Sequence, residues 1–279
     1  MAKKRHLISH TIYRIFLWCY ALFSLYPLIW MGFNSLKNNQ EIFETNPFGP
    51  PTAFRFENYI KALSQYNVPQ YFINSIIVSV ATVTFTIVLG MMFSYATSRM
   101  RWKGQNIAKI YVSMGMFIPI QALFIPIFLL ISRMGIVNTH LSLILPYTAF
   151  NLAFSTLVFY GFFRSIPFEL EEAACIDGAG IFRTFFKIIV PTIKPAIATL
   201  IIFIFLQSWN EFPLASILIS DEGMKTLPLG LLFFQGSFST EWGPMAATMV
   251  IASCPTVIIY ILFSNQVEKA MTVGGAVKG

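Results

Sequence analysis

Long uncharged apolar runs alternate with short polar segments along the whole chain. A helix needs about 20 apolar residues to cross the hydrocarbon core of a bilayer, and six segments reach that length. They lie near residues 15–33, 71–95, 110–132, 141–163, 196–219 and 243–266. The alternating pattern of a membrane β-barrel is absent, and helices satisfy their own backbone hydrogen bonds in lipid. The sequence therefore predicts an all-α integral membrane protein, with six transmembrane helices in a single domain over residues 1–279.

Composition supports the membrane class. The chain is 56% hydrophobic and 11% charged, with a mean hydropathy of +0.67, and a soluble domain needs more polar surface than that. The basic N-terminus followed by an apolar run imitates a signal peptide. No small-residue cleavage site follows residue 33, so we interpret residues 15–33 as an uncleaved first span.

The distribution of basic residues predicts the orientation. With six spans, both termini lie on one side, and 14 of the 19 Lys and Arg residues fall on that side. Because membrane proteins keep Lys and Arg on the cytoplasmic side, both termini are predicted to be cytoplasmic. The net charge of +7 is then a topology signal and does not indicate nucleic-acid binding. Residues 34–70, 133–140 and 220–241 become the external segments.

Candidate chemistry is sparse. Cys19, Cys175 and Cys254 lie far apart, which favours neither disulfides nor a zinc site. No HExxH, GxSxG or GxxxxGK[ST] pattern occurs, so an intramembrane enzyme and an ATP-binding chain are both disfavoured. An ion-coupled carrier would need paired acids or a His–acid relay within the spans, whereas Glu211 is the single acid there. Transport assays that compare dependence on ATP with dependence on an ion gradient would separate the two transport classes.

The cytoplasmic loop 164–195 holds the densest mixed charge. Pro167 and the acids that follow it are typical of a helix start, and Gly178 is predicted to end that helix in the left-handed conformation. A second short helix then carries an aromatic face, and Pro191 and Pro195 are predicted to stop it. The small Ala173–Ala174 face suits insertion into a partner, while the alternative is an amphipathic hairpin resting on lipid.

This loop resembles that of binding-protein-dependent ABC importers. Their pattern is Glu-Ala-Ala, three residues, Gly, nine residues, Ile, one residue and Leu-Pro. Here it is matched by Glu172-Ala173-Ala174, Gly178, Ile188 and Pro191, with Val190 in place of Leu. The segments IDGA (176–179), WNEF (209–212), TLPLGL (226–231) and GGAVKG (274–279) are similar to the carbohydrate-uptake branch. The whole chain resembles the smaller six-span permease of maltose-type systems.

The resemblance implies a type I permease of a bacterial cytoplasmic (inner) membrane importer, which is a transport subunit and not an enzyme. It has no cofactor of its own, because ATP and Mg are bound by a separate ATPase dimer. Its other partners are a larger permease, an extracellular or periplasmic sugar-binding protein and the lipid bilayer. The loop becomes a coupling helix that contacts the ATPase through Glu171, Glu172, Ala173, Ala174, Asp177, Gly178, Ala179, Ile188 and Pro191.

Two further sites follow from the resemblance. The tail residues Gly274, Gly275, Lys278 and Gly279 are expected to reach between the ATPase subunits, although a frayed end is the simpler alternative. Trp209, Asn210 and Glu211 are either an interfacial anchor or part of a sugar path. Prolines inside the spans, such as Pro119 and Pro213, indicate bent helices, either for packing or for a pathway.

Overall fold

The structure, a computed structural model, describes residues 2–234 and 240–276. These residues are mostly helical. The helices are α1 (Ala2–Asn34), α2 (Glu57–Gln65), α3 (Val68–Arg99), α4 (Gln105–Met114), α5 (Phe124–Arg133), α6 (His140–Ser165), α7 (Glu169–Ile176), α8 (Ile181–Thr184), α9 (Val190–Thr192), α10 (Lys194–Trp209), α11 (Pro213–Leu218), α12 (Leu227–Gly230) and α13 (Trp242–Ala276). Single π turns cover Glu41–Thr45 and Phe185–Ile189, and 3₁₀ turns cover Gly115–Phe117, Ile120–Leu123, Glu222–Met224 and Leu231–Phe234.

Four helices are long and apolar enough to cross a membrane, and two bent pairs bring the number to as many as six within the described residues. The four are Tyr13–Asn34, Val68–Arg99, His140–Ser165 and Trp242–Asn265. The pairs are Gln105–Phe117 with Ile120–Arg133, bent by 98°, and Ile181–Thr192 with Lys194–Trp209, bent by 74°. The all-α membrane class is thus confirmed, while the single six-span domain stays a prediction.

The prolines act differently from span to span. Pro146 and Pro255 lie inside continuous helices. Pro119 lies at the 98° bend, where the preceding Ile118 is extended, at φ −88° and ψ 116°. A proline disfavours the helical conformation of the residue before it, so the helix ends at Phe117. The fifth predicted span is also interrupted, because α10 ends at Trp209 and Pro213 begins α11.

The chain divides into two compact units. Unit 1 comprises residues 1–69 and 230–254, and unit 2 comprises residues 70–229 and 255–279. Unit 2 contains two apolar clusters, in which α3, α6 and α10 supply most of the first and α3, α5, α6 and α11 most of the second. Such clusters are the packed cores that hold helices at fixed separations.

Unit 1 contains a buried lysine in the segment 34–70, which the sequence predicts to be external. Lys37 is 0% exposed, and its Nζ donates to the backbone oxygens of Asn46 at 2.6 Å and Gly49 at 2.7 Å. Glu41 lies close by and accepts a 2.6 Å hydrogen bond from the Thr52 amide. A turn-rich segment of this length usually has a hydrated backbone, whereas here its carbonyls fold inward on one ammonium group.

The charges of this segment shift each other's pKa. Burial lowers the pKa of Lys37, and the nearby Glu41 charge opposes that shift. Burial acts to raise the pKa of Glu41, but hydrogen bonds from Thr52 and Asn46 and the charge of Lys37 outweigh it. The pKa of Glu41 therefore lies below its usual value. The sequence-based count used Lys37 only as a topology charge and missed its structural role.

Candidate functional site

Helix α7 lies in the 164–195 loop and ends in a left-handed glycine. Gly178 has φ +74°, its amide donates to the Cys175 oxygen at 3.0 Å, and the next amide, of Ala179, donates to the Ala174 oxygen at 2.9 Å. These two bonds form a Schellman motif, which satisfies the last carbonyls of a helix and favours glycine. The predicted left-handed role of Gly178 is confirmed.

The residues of the Glu-Ala-Ala motif differ in exposure. Glu172 and Ala173 are exposed, whereas Ala174 is buried. Ile176 is 86% exposed at the end of the helix, and Asp177 beside it is also exposed. This end of α7 therefore presents acids, a small side chain and one apolar side chain to its surroundings.

Glu171 points the other way. Its side chain is 16% exposed, and its Oε1 lies 3.3 Å from Nε of Arg99. Its Oε2 accepts from the Tyr95 hydroxyl at 3.4 Å, and the Arg99 guanidinium lies 4.6 Å from the centroid of the Phe168 ring. The first acid of the Glu-Glu pair is thus held within unit 2, while the second faces outward.

The second short helix is helical from Ile181 to Thr192, with the π turn in its middle. Phe185 and Ile189 are buried in the first apolar cluster of unit 2, Ile188 is half-buried and Pro191 is exposed. The helix ends at Thr192, one residue after Pro191, and the chain bends before α10, whose first turn contains Pro195. The end of the helix thus falls between Pro191 and Pro195, as predicted.

Trp209, Asn210 and Glu211 lie at the break between α10 and α11. Trp209 is 2% exposed and stacks on Phe205. The Glu211 carboxylate accepts from the amides of Leu214 at 2.7 Å and Ala215 at 3.1 Å, and from the Tyr147 hydroxyl. An anionic group at free helix amides stabilises a helix start, so Glu211 holds the beginning of α11.

Two of the four residues of the predicted tail contact lie outside the described part of the chain. Gly274 and Gly275 belong to α13, which ends at Ala276, while Lys278 and Gly279 lie outside the described residues. No group of three or more His, Cys, Asp or Glu side chains in the described part of the chain could hold a metal ion.

Sequence reasoning missed Arg99. It lies at the end of an apolar span, next to Arg101 and Lys103, and was counted only as a cytoplasmic charge. Its side chain is 2% exposed, and its Nη2 donates to the backbone oxygens of Phe163 and Ile166. No local pattern distinguishes it from its exposed neighbours, because its partners lie more than 60 residues away.

Comparison with known families decides the class of protein. Residues 86–273 match the family described as binding-protein-dependent transport system inner membrane component. The matched range includes α7, Gly178 and the whole loop.

The chain belongs to this family.

Related permeases cover the chain almost completely. The probable ABC transporter permease protein YurM of Bacillus subtilis is 33% identical over 99% of this chain and 91% of its own length. The diacetylchitobiose uptake system permease protein NgcG of Streptomyces coelicolor is 33% identical over 96% of this chain and 87% of its own length. The chain is therefore a transport component of an inner membrane. The predicted resemblance to permeases of carbohydrate ABC importers is confirmed.

A solved structure supports the fold. A chain of a bacterial ABC transporter involved in the import of the acidic polysaccharide alginate superposes with a TM-score of 0.80. It covers 92% of this permease and 96% of that chain at 23% identity. The predicted type I permease fold is thereby confirmed.

Proposed function

We propose that this permease is one of the two membrane subunits of an ATP-driven carbohydrate importer, coupled to its ATPase through α7 and the Gly178 turn. The observation that carries the proposal is the exposed face of α7, which presents Glu172, Ala173 and Ile176 within the residues that match the family. The chain forms one half of the translocation path, and the second, larger permease supplies the other half.

The substrate class rests on the related proteins. One relative is named for diacetylchitobiose uptake, and the similar structure belongs to an importer of alginate. Both names specify carbohydrates. A sugar or polyol delivered by an external binding protein is therefore the proposed cargo.

The coupling contact requires an exposed surface of small side chains. Glu172 is exposed on α7 and, within the described residues, makes no ion pair, so its carboxylate is open to a basic side chain of the ATPase. Ala173 leaves room for close approach. Because a Cβ built at Gly178 meets nothing within 4 Å, the space around the turn is open to a partner. ATP and Mg are bound by the ATPase dimer, not by this chain.

The proposed orientation places both termini and the 164–195 loop in the cytoplasm. The exposure of Glu169, Glu172, Asp177 and Arg183 supports an aqueous or protein-covered setting for this loop. Lipid would cover the exposed phenylalanines equally well, but it would not suit the acids.

The neighbourhood of Trp209 is proposed to be structural. Trp209 is packed against aromatic rings, and the Glu211 carboxylate holds the start of α11. Both observations support a role in shaping the break between α10 and α11, and a direct sugar contact is a lesser proposal.

Substitution at Gly178 tests the coupling contact. Gly178→Leu is expected to abolish import of the sugar that the binding protein selects in a thermal-shift screen, while the permease stays in the membrane. The loss of import would arise from the bulky side chain at the docking surface. The left-handed backbone conformation at residue 178 would add a strain of about 1–2 kcal/mol for leucine. Gly178→Asn is the matched control, since asparagine tolerates this conformation, and it should retain part of the import. Normal import by Gly178→Leu would contradict the proposal.

A charge reversal tests the partner directly. Glu172→Lys should weaken co-purification of the ATPase, because like charges would then meet at the contact. Glu169→Lys, an exposed acid of the same helix turn, is the control. Equal recovery of the ATPase with both variants would favour a loop that rests on lipid.

A further inference from the structure

Arg99 closes the inner end of α6. Helix α6 ends at Ser165, and the last carbonyls of any helix lack partners in their own helix. Nη2 of Arg99 donates to the oxygen of Phe163, in the last turn of α6, and to that of Ile166, the residue that follows the helix. The last residue of α3 therefore holds the end of α6 by charged hydrogen bonds, which are roughly twice as strong as neutral ones.

The same guanidinium also reaches α7. Its Nε lies 3.3 Å from Oε1 of Glu171, and its plane lies over Phe168, just before α7. One turn earlier on α3, Tyr95 contacts the other carboxylate oxygen of Glu171. Tyr95 also packs against Phe163 and Phe185, so α3, α6, α7 and the second short helix meet at one polar point.

Stability alone is a weak reason for this arrangement. A buried ion pair often contributes no more than apolar residues of the same volume, because desolvation offsets the attraction. It does fix geometry, since a planar guanidinium has donors in a rigid fork. Arg99 contacts two elements at once: its Nη2 donates to carbonyls at the end of α6, and its Nε forms an ion pair with Glu171 that lacks hydrogen-bond geometry.

Both ends of α7 have joints. The chain enters through Ile166, which is extended at φ −79° and ψ 130°, and leaves through the left-handed Gly178. Residues that absorb backbone rotation lie at such element ends. A force applied to α7 alone would therefore rotate it about these joints unless another contact holds it to the spans.

We propose that Arg99 and Glu171 form a tether that makes α7 move as one body with the inner ends of α3 and α6. Both are positioning residues: neither touches ATP or sugar, and they deliver a displacement of α7 to the two spans. The inference rests on the proposed docking of α7 on the ATPase. It also assigns Glu171 to the inside of this permease, leaving Glu172 as the acid that faces the ATPase.

Pulsed electron paramagnetic resonance on the complete transporter tests the tether. One spin label on Val80 of α3 and one on Leu170 of α7, both exposed, are separated mainly by about 28 Å of helix, at 1.5 Å per residue. Cys19, Cys175 and Cys254, which are exposed, are replaced first. Spectra are recorded without nucleotide and after trapping with ATP and vanadate.

The distance between the labels is expected to stay constant on trapping in the otherwise unchanged transporter. In Glu171→Gln it should shift by more than about 2 Å and broaden, beyond the 1–2 Å typical of small helix shifts. Arg99→Lys keeps the positive charge but loses the fork, so it should give a smaller shift. Glu169→Gln, an exposed acid of the same turn, is the matched control and should behave like the parent.

A second measurement separates this inference from the proposed function. Ala173→Cys, on the exposed face of α7, is cross-linked to the ATPase with a short bifunctional reagent in each variant. Cross-linking without a distance change in Glu171→Gln and Arg99→Lys overturns the tether and leaves the proposed function intact. A distance that changes equally in the parent also overturns the tether. No cross-link in the parent overturns the docking of α7, and the tether with it.

Discussion

Two buried cations organise two regions of this permease, and they do so for different ends. Lys37, in the segment 34–70, and Arg99, the last residue of α3, each donate to two backbone oxygens and lie near one acid. The partners of Lys37 lie 9 and 12 residues along the chain, and those of Arg99 lie 64 and 67 residues along it.

The distance along the sequence between each cation and its partners indicates a different role for each. Lys37 closes one loop on itself, so its loss affects the folding of that loop. Arg99 joins three helices, so its loss affects how they move together. A flexible ammonium suits the first task, and a rigid guanidinium fork suits the second.

Removal of the loop-closing cation should have the largest effect on stability. Lys37→Met leaves two partly buried carbonyls without their charged donor and removes the charge near Glu41. At about 1–3 kcal/mol for each unsatisfied group, the cost is about 2–6 kcal/mol. Thermal stability of the detergent-solubilised transporter, followed by size-exclusion chromatography after heating, measures the loss. In Lys37→Met protein that is still folded, the distance between the spin labels on α3 and α7 should equal that of the parent. A change in this distance as large as that in Glu171→Gln would contradict the separate roles assigned to Lys37 and Arg99.

Crowding the same loop should have the next largest effect. An added Cβ at Gly243 would lie 2.5 Å from the backbone oxygen of Lys37 and 2.6 Å from Nδ2 of Asn58. Gly243→Ala should therefore destabilise unit 1 by about 1–3 kcal/mol, as overpacking does. Gly32→Ala is the control, because a Cβ there meets nothing within 4 Å and alanine favours the helix. Equal melting of the two variants would contradict the predicted close approach.

Acidification should weaken the loop around Lys37 through Glu41. The pKa of Glu41 is lowered in the folded protein, whereas an unfolded chain has a Glu pKa of about 4.3. The contribution of Glu41 to stability is therefore fully present above about pH 4.3 and is lost as the pH falls through its folded pKa. Thermal melts between pH 3 and pH 6 should show this loss in the parent and a reduced loss in Glu41→Gln. An identical pH dependence in both would remove Glu41 from the account.

The smallest effect is expected from an exposed ion pair of the same unit. Lys61 and Glu241 lie 3.5 Å apart, with side chains 43% and 42% exposed. Water and salt screen such a pair, so Glu241→Gln should cost no more than about 1 kcal/mol. A melting shift as large as that of Lys37→Met would show that the buried contacts of Lys37 are no more stabilising than the exposed pair of Lys61 and Glu241. Melts in low and high salt check the screening.

The class of the protein could be predicted from local patterns, and the same patterns support the proposed coupling site. Apolar runs of about 20 residues predict spans because bilayer thickness sets their length. Gly178 could be assigned because the left-handed conformation is available to glycine at little cost. The Glu-Ala-Ala motif lies within the range that matches the family, and its role as a coupling site stays a proposal.

Other features could not be predicted from the same patterns. Glu171 and Glu172 are adjacent and chemically alike, and a helix turns by about 100° between neighbours. Which of the two faces inward depends on Arg99, which is 72 positions away in the sequence. The break after Trp209 was partly foreseeable from Pro213, but the binding of the Glu211 carboxylate to the start of α11 was not.

Length and hydropathy in the sequence are enough to show that this chain spans a membrane, and Gly178 is enough to predict the end of the loop helix, because these properties act locally along the chain. The permease class came from the resemblance of its motifs to a family. The tertiary structure alone decided which charges serve the fold. Lys37 and Arg99 look like other topology charges until packing removes them from water. Once buried, each must find partners, and those partners are set by how distant segments meet.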